Sequence, residues 1–446
     1  MTGRIDRLRM RRASPRLALI FCLALVACSD SSTTAPTDTP VPDNPGSKTA
    51  FRVNSLEDQV DATPGDLQCA TAEGACTLRA AIMEANASGF NADGERHTIL
   101  IPAGVYALSL PNPLSTGDLG LGDVAVRPIV TSESTGSLKL VVPMRLHGAG
   151  ARETIIDARQ LDRVFELDMG AHSTLTDMTI TGGAGNTLGG GVYAQAHVTL
   201  QRVWITGNRS SGGGGIFVNP LGSLDLQDST VSHNIASGQA GGIRIDTRGT
   251  ITNSTISRNE AQGLTAPLPL GTGVPFAFAQ GGGVDVRGLN VLIRNSTIVF
   301  NRAAAGGAGL HFDSAYADAL PDPVTGAIPL PLFDVILENT IIASNDADVP
   351  QGDCLVTVGY SRILSQGNNL DSDGSCGLTQ PGDLPGLDPA LSELRDHGGA
   401  TDTHALLPAS AARGAGKLST CTAADQRGNA RASDGACDIG AFEVQL

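Results

Sequence analysis

Tyr193, Phe217, Arg244, Asp285 and His311 occupy one place in five related segments of this chain, and Gln195, Asn219, Asp246, Arg287 and Asp313 follow two residues later. The segments are GGGVYAQ from residue 189, GGGIFVN from 213, GGIRID from 241, GGGVDVR from 281 and GAGLHFD from 307. If Val192, Ile216, Ile243, Val284 and Leu310 point inward, both series face outward as columns on one sheet. Strands lie ~4.8 Å apart and alternate residues ~6.8 Å along a strand, which separates Asp246 from Asp285 by roughly 8 Å. Carboxyls ~6.5 to 9.5 Å apart suit inverting glycoside hydrolysis, one as acid and one activating water. A polysaccharide lyase would use the same residues differently: the aspartates hold Ca²⁺ against a uronate carboxylate, and Arg244 or Arg287 takes the proton. His311 and Asp313 extend the charged end, and Tyr193 with Phe217 would form a floor for sugar stacking. The inert alternative is that Arg244 beside Asp285, and Asp246 beside Arg287, are cross-strand ion pairs of an ordinary solvated sheet.

Other chemistries lack their residues. The chain has no G-x-S-x-G, no H-E-x-x-H, no phosphate loop and no calcium nonapeptide. Its glycine clusters precede strands, so they read as turns and not as phosphate cradles. NLDSDGSC at 369–376 offers Asp371 and Asp373 to calcium, or a disulfide-bounded turn.

The elements that must position the columns come from a repeated phrase: DMTITGG from Asp177, RVWITGN from Arg202, DSTVSHN from Asp228, NSTISRN from Asn253, NSTIVFN from Asn295 and NTIIASN from Asn339. The spacings are 25, 26, 25, 42 and 44, a period near 25 with two insertions. Such a period is the signature of a solenoid with variable loops. Each coil is expected to hold about three short strands. Val203/Ile205, Ser229/Val231, Ser254/Ile256, Ser296/Ile298 and Thr340/Ile342 should stack inside it. Asn208, Asn234, Asn259, Asn301 and Asn345 end the phrase, where a left-handed corner and a stacked asparagine ladder are expected. The insertions, residues 260–280 and 314–332, flank the charged end of the columns and would wall a groove there.

Composition agrees with a narrow aliphatic interior. Among 446 residues 55 are glycine and only 16 aromatic, while 41% are hydrophobic and 17% charged, which excludes a disordered chain. The net charge is −15, and beyond residue 27 there are 24 basic and 44 acidic residues, net −20. That balance argues against nucleic acid as a partner.

Six arginines precede an apolar run from Leu17 to Ala27, the layout of a signal peptide too short to span a bilayer. Leu25-Val26-Ala27-Cys28 resembles the lipobox of bacterial lipoproteins, which implies lipidation at Cys28 and a membrane-lipid partner. Ser29 in place of Asp resembles the rule for export to the outer membrane. Residues 29–49, rich in Ser, Thr, Pro and Asp, read as a tether. Six cysteines remain, Cys69, Cys76, Cys354, Cys376, Cys421 and Cys437, and an even number in an exported chain points to disulfides. Of 15 pairings, nearest neighbours are the expectation: 69 with 76, 354 with 376, 421 with 437.

Over about residues 97–375 the repeat resembles the right-handed parallel β-helix of polymorphic-repeat surface proteins, a scaffold shared with pectin-degrading enzymes. CTLRAAIMEANASG from Cys76 places Leu78, Ala81, Ile82 and Ala85 on one helical face. It is similar to the C-S-L-R-E-A-I segment that begins many β-helical exported proteins, with Thr77 and Ala80 departing from it. Asp425 to Glu443, DQRGNARASDGACDIGAFE, resembles the region those proteins place before diverse anchors. The expectation is therefore all-β: a signal peptide (1–27), lipidated Cys28 and tether (28–49), a helix-containing cap (50–96), a single-stranded right-handed parallel β-helix (97–375) and a disulfide-stapled C-terminal cap (376–446). The expected role is a lipid-anchored surface protein, structural or adhesive, that contacts polysaccharide or another surface protein. The competing class is an enzyme that cleaves acidic glycans at Asp246, Asp285 and Arg287.

Overall fold

Short branched-aliphatic strands that alternate inward and outward bury only half their side chains, so each must stack on the next coil. In the computed structural model, which describes residues 50–89, 96–112, 133–185, 188–263, 279–288, 290–313, 334–357, 362–431 and 435–445, they do so in parallel sheets. One sheet of ten strands runs from Ala50–Arg52 to Arg362–Ser365, one of eight from Leu138–Leu140 to Cys354–Val356, and one of nine from Gly104–Ala107 to Leu370–Asp371. A fourth sheet of five two-residue strands, Arg209–Ser210 to Asp346–Ala347, departs from the expected three strands per coil. Each of its strands begins directly after a ladder asparagine, where the chain continues in pairing register for two residues. The signal segment, Cys28 and tether lie outside the described residues, as do positions 264–278 of the first insertion and all of the second, 314–332.

Ile205, Val231, Ile256, Ile298 and Ile342 pair in direct register through all four intervals, so neither insertion shifts the stack. They are buried with Val203, and Ser229, Ser254, Ser296 and Thr340 are buried beside them. The inward hydroxyls are satisfied within the stack: Ser229 Oγ accepts from Val203 N at 3.1 Å and donates to the Gln227 carbonyl.

The asparagine ladder forms. Asn259 Oδ1 accepts from both N and Nδ2 of Asn234 at 3.0 Å, and its own Nδ2 donates to Val231 O and Asn301 Oδ1. The pattern runs from Asn208 to Asn345 and ends on Asp353, whose Oδ1 accepts from Asn345. A carboxylate suits that last place because it only has to accept. The left-handed corner falls one residue earlier than expected, at Gly207, His233, Arg258, Phe300 and Ser344, and again on the first residue of each phrase. The asparagines are selected by the amide ladder and not by backbone conformation.

The first coil is lidded by the helix Leu78–Ser88, which buries Leu78, Ala81, Ile82 and Ala85 and stops at Gly89. Thr77 caps it, accepting from Ala80 N at 3.1 Å. Buried Arg79 fixes the helix to the preceding loop through Asp58 (2.6 Å). No helix among the described residues is long and apolar enough to cross a membrane. The disulfides are Cys69–Cys76, Cys354–Cys376 and Cys421–Cys437, as expected, and they fit an exported protein.

The C-terminal segment departs from an end cap. Residues 366–388 finish the last coil, and the chain then turns back along the outside of the nine-stranded sheet. Thr230 Oγ1 donates to Asp402 O, Thr255 Oγ1 to Gln426 Oε1, and Ser257 Oγ meets His404 Nε2 at 2.9 Å. Farther along, Val299, Ile341 and Ala343 form a second small core with Leu406, Ile439 and Phe442. The outward residues of the phrase are small, hydroxylated or apolar because they lie under this strap.

Candidate functional site

The eight-stranded sheet carries both outward columns in the expected register. Tyr193 pairs with Phe217, Phe217 with Arg244, Arg244 with Asp285, and Asp285 with His311. The glycine clusters make room for them. Gly213, Gly281 and Gly307 have positive φ, and a Cβ on each would lie 2.9, 2.8 and 3.1 Å from the Cβ of Phe217, Asp285 and His311. Each glycine thus lets the chain fold tightly against the column residue four positions later.

At the downstream end each arginine pairs with the aspartate two residues away on its own strand, and Asp285 also pairs across to His311. Arg244 holds Asp246 through two hydrogen bonds of 2.8 and 3.1 Å, and Arg287 Nε donates to Asp285 Oδ2 at 3.2 Å. Asp285 Oδ1 meets His311 Nδ1 at 2.6 Å, and His311 Nε2 meets Thr357 Oγ1 at 3.4 Å. Asp285 and His311 face out from the core yet have no exposed surface. Burial pushes the Asp285 carboxyl up, but His311, Arg287 and Arg244 outweigh it and hold it below the ordinary carboxylate value. Held ionised in this way, Asp285 does not fit the general-acid role of an inverting pair, for which the two carboxyls must differ. Asp313 continues the second column, its N donating to Val286 O. The groove walls expected from the insertions lie outside the described residues.

The sugar-stacking floor is also corrected. The rings of Tyr193 and Phe217 stack on each other, with centroids 5.6 Å apart and planes inclined by 7°. Arg163 lies 4.8 Å from the Tyr193 centroid and Arg244 5.2 Å from that of Phe217. The result is a guanidinium–ring–ring–guanidinium stack whose ring faces are taken, with Phe217 buried and Tyr193 at the cavity wall. Asn219 Nδ2 donates to the Tyr193 hydroxyl at 3.2 Å, so the phenol is held as well.

A cavity of about 430 Å³ opens beside this stack, upstream of the expected site. Lys139, Arg163, Glu166, Asp168, Tyr193 and Gln195 line it, with Met169 and Leu188 at its sides. The register explains the gathering: Lys139 pairs with Glu166 and Glu166 with Tyr193, which extends the first column by two strands. Asp168 N donates to Leu140 O and Gln195 N to Leu167 O, which places Asp168 in the second column. Lys139 Nζ lies 3.1 Å from Asp168 and 4.0 Å from Glu166, and Arg163 lies 3.7 Å from Glu166. These positions escape the repeat because their strands lack the glycine triplet. The alternation in VFELDMG, with Phe165 and Leu167 inward, is the signal that locates Glu166 and Asp168.

Asp371 and Asp373 do not fit a calcium site. Both oxygens of Asp371 accept from backbone, Gly386 N and Cys376 N; those of Asp373 accept from Ser375 N and from Gly352 N and Asp353 N. They shape the turn beside the Cys354–Cys376 bridge. The oxygens of Asp246 and Asp285 are likewise engaged, by Arg244 and by His311 and Arg287. No group of three or more potential ligands is placed to hold a metal among the described residues.

No family model matches the sequence, and no curated protein matches it. Among solved structures the chain is similar to the catalytic domain of a GH87 alpha-1,3-glucanase in complex with tetrasaccharides, at 13% identity and a TM-score of 0.22, over 79% of this chain and 67% of that one.

Proposed function

We propose that this chain is an exported surface protein, lipid-anchored through Cys28, whose right-handed parallel β-helix of the CSLREA type contacts polysaccharide along the eight-stranded sheet in a structural or adhesive role. The observation that carries the reading is the open cavity on that sheet, where Tyr193, paired charges and the apolar Met169 and Leu188 meet. Carbohydrate recognition needs that mixture of hydrogen-bonding groups and small apolar surfaces. Three disulfides support export, and the repeated phrase and the helical lid support the family reading. The test is retention of the full chain on immobilised neutral and uronate-rich polysaccharides, with reducing ends and unsaturated products followed in the same samples. Retention without cleavage is the expected result; retention on none would overturn the reading.

A second reading, a carbohydrate-active enzyme, is favoured by the Asp285–His311 pair. A carboxylate on Nδ1 orients the imidazole, and Nε2 faces the exposed Thr357 hydroxyl, as a proton acceptor requires. Product formation that disappears in His311→Gln would establish it.

A further inference from the structure

We infer that the cavity beside Tyr193 binds one uncharged sugar residue, so that the protein selects neutral over uronate-rich glycans; the inference rests on the polysaccharide reading and names its ligand class. The charges along the cavity alternate and balance. Asp168, Lys139, Glu166 and Arg163 follow one another as two anions and two cations, joined by contacts of 3.1, 4.0 and 3.7 Å. A ligand carboxylate entering this chain would have to displace a protein carboxylate from its cation and leave that carboxylate with too few partners. A vicinal diol meets no such conflict. One hydroxyl accepts from Lys139 while its neighbour donates to Asp168, and no ion pair is broken.

Shape and field agree with this class. Met169, 66% exposed, and Leu188 both line the cavity, which gives the C–H faces of a sugar ring apolar contact. Gln195, on the strand after Asp168, adds both a donor and an acceptor at the cavity wall. The volume, about 430 Å³, lies at the lower end of the range of small-molecule sites and suits a single sugar residue, not an extended polymer groove. The net charge of −15 opposes the approach of a polyanion at low salt.

The test is calorimetric titration of the full chain with neutral α- and β-glucan oligosaccharides and with oligogalacturonates, repeated for Asp168→Asn, Gln195→Leu and Arg287→Ala. Thermal melting establishes that each variant is folded. The expected result is binding of a neutral oligosaccharide, weakened about tenfold by Asp168→Asn and by Gln195→Leu, with no uptake of oligogalacturonate. Binding weakened by Arg287→Ala but not by Asp168→Asn or Gln195→Leu would overturn the cavity and keep contact along the sheet. Tighter binding of oligogalacturonate would overturn the ligand class. Binding of neither would overturn both this inference and the polysaccharide reading.

Discussion

Asp285 has no exposed surface, takes His311 on one oxygen and Arg287 on the other, and is held ionised by them. Removing one partner of such a group leaves the others buried without compensation, so Asp285→Ala should lower stability by about 3–5 kcal/mol in urea unfolding. A loss under about 1 kcal/mol would show that the cluster is not a structural anchor. The sign with pH follows: a depressed carboxyl contributes above its unfolded value near 3.9, so the difference between wild type and variant should shrink as the pH falls below that. His404 acts in the same direction at a higher pH, as a base buried in its neutral form. Buried between Ser257 and Ser392, it has its imidazole pushed down to about 4, chiefly by burial. The unfolded chain then binds the proton first, and stability is lost as the pH drops from about 6.5 toward 4, by roughly 3 kcal/mol. His404→Gln should remove that part of the slope, read as the change in melting temperature between pH 7 and pH 5.

At the scale of the element, the asparagine ladder distinguishes side chains that a hydropathy pattern treats alike. Asn259 both accepts from Asn234 and donates to Val231 and Asn301 with no exposure to water. Alanine there strands two donors of Asn234, and the expected cost is about 2–4 kcal/mol in chemical denaturation. An unchanged midpoint would mean that backbone pairing alone holds the coils in register. The strap over the nine-stranded sheet explains the phrase from its outer side as well. Thr255 and Ser257 are as buried as Ile256 between them, because Gln426 and His404 sit on them.

The whole molecule differs from a simple one-dimensional stack for the same reason. Coils of a solenoid ordinarily touch only their neighbours, and distant coils unfold independently. Here the strap reaches from Arg152, which pairs with Asp402 at 2.7 Å, to Asn339, which accepts from Lys417 N at 2.7 Å. Early and late coils are therefore tied by one segment, and unfolding should be a single transition. Trp204, the one tryptophan, sits in an early coil with Nε1 on Ser232. In Asn301→Ala, its fluorescence transition should shift to lower urea together with far-UV circular dichroism. A Trp204 transition left at its wild-type midpoint would show that the coils are uncoupled.

The amino-acid sequence by itself determined the solenoid, its register, the inward column, the helical lid and the three disulfides. These follow from period-two alternation, a constant phrase and cysteines close along the chain, all of which act over short separations. It also placed Tyr193, Phe217, Arg244, Asp285 and His311 in one column. The tertiary structure decided what those side chains face. The stacking of Tyr193 on Phe217 and the closure of His311 over Asp285 join residues 24 and 26 positions apart on neighbouring coils, and the ion pairs along each strand form within that packing. The cavity at Lys139, Glu166 and Asp168 arises where coils without the repeated glycines meet one that has them. The strap was beyond local pattern altogether, since its contacts span some 170 residues and leave their trace only as small hydroxyl side chains on an outward face.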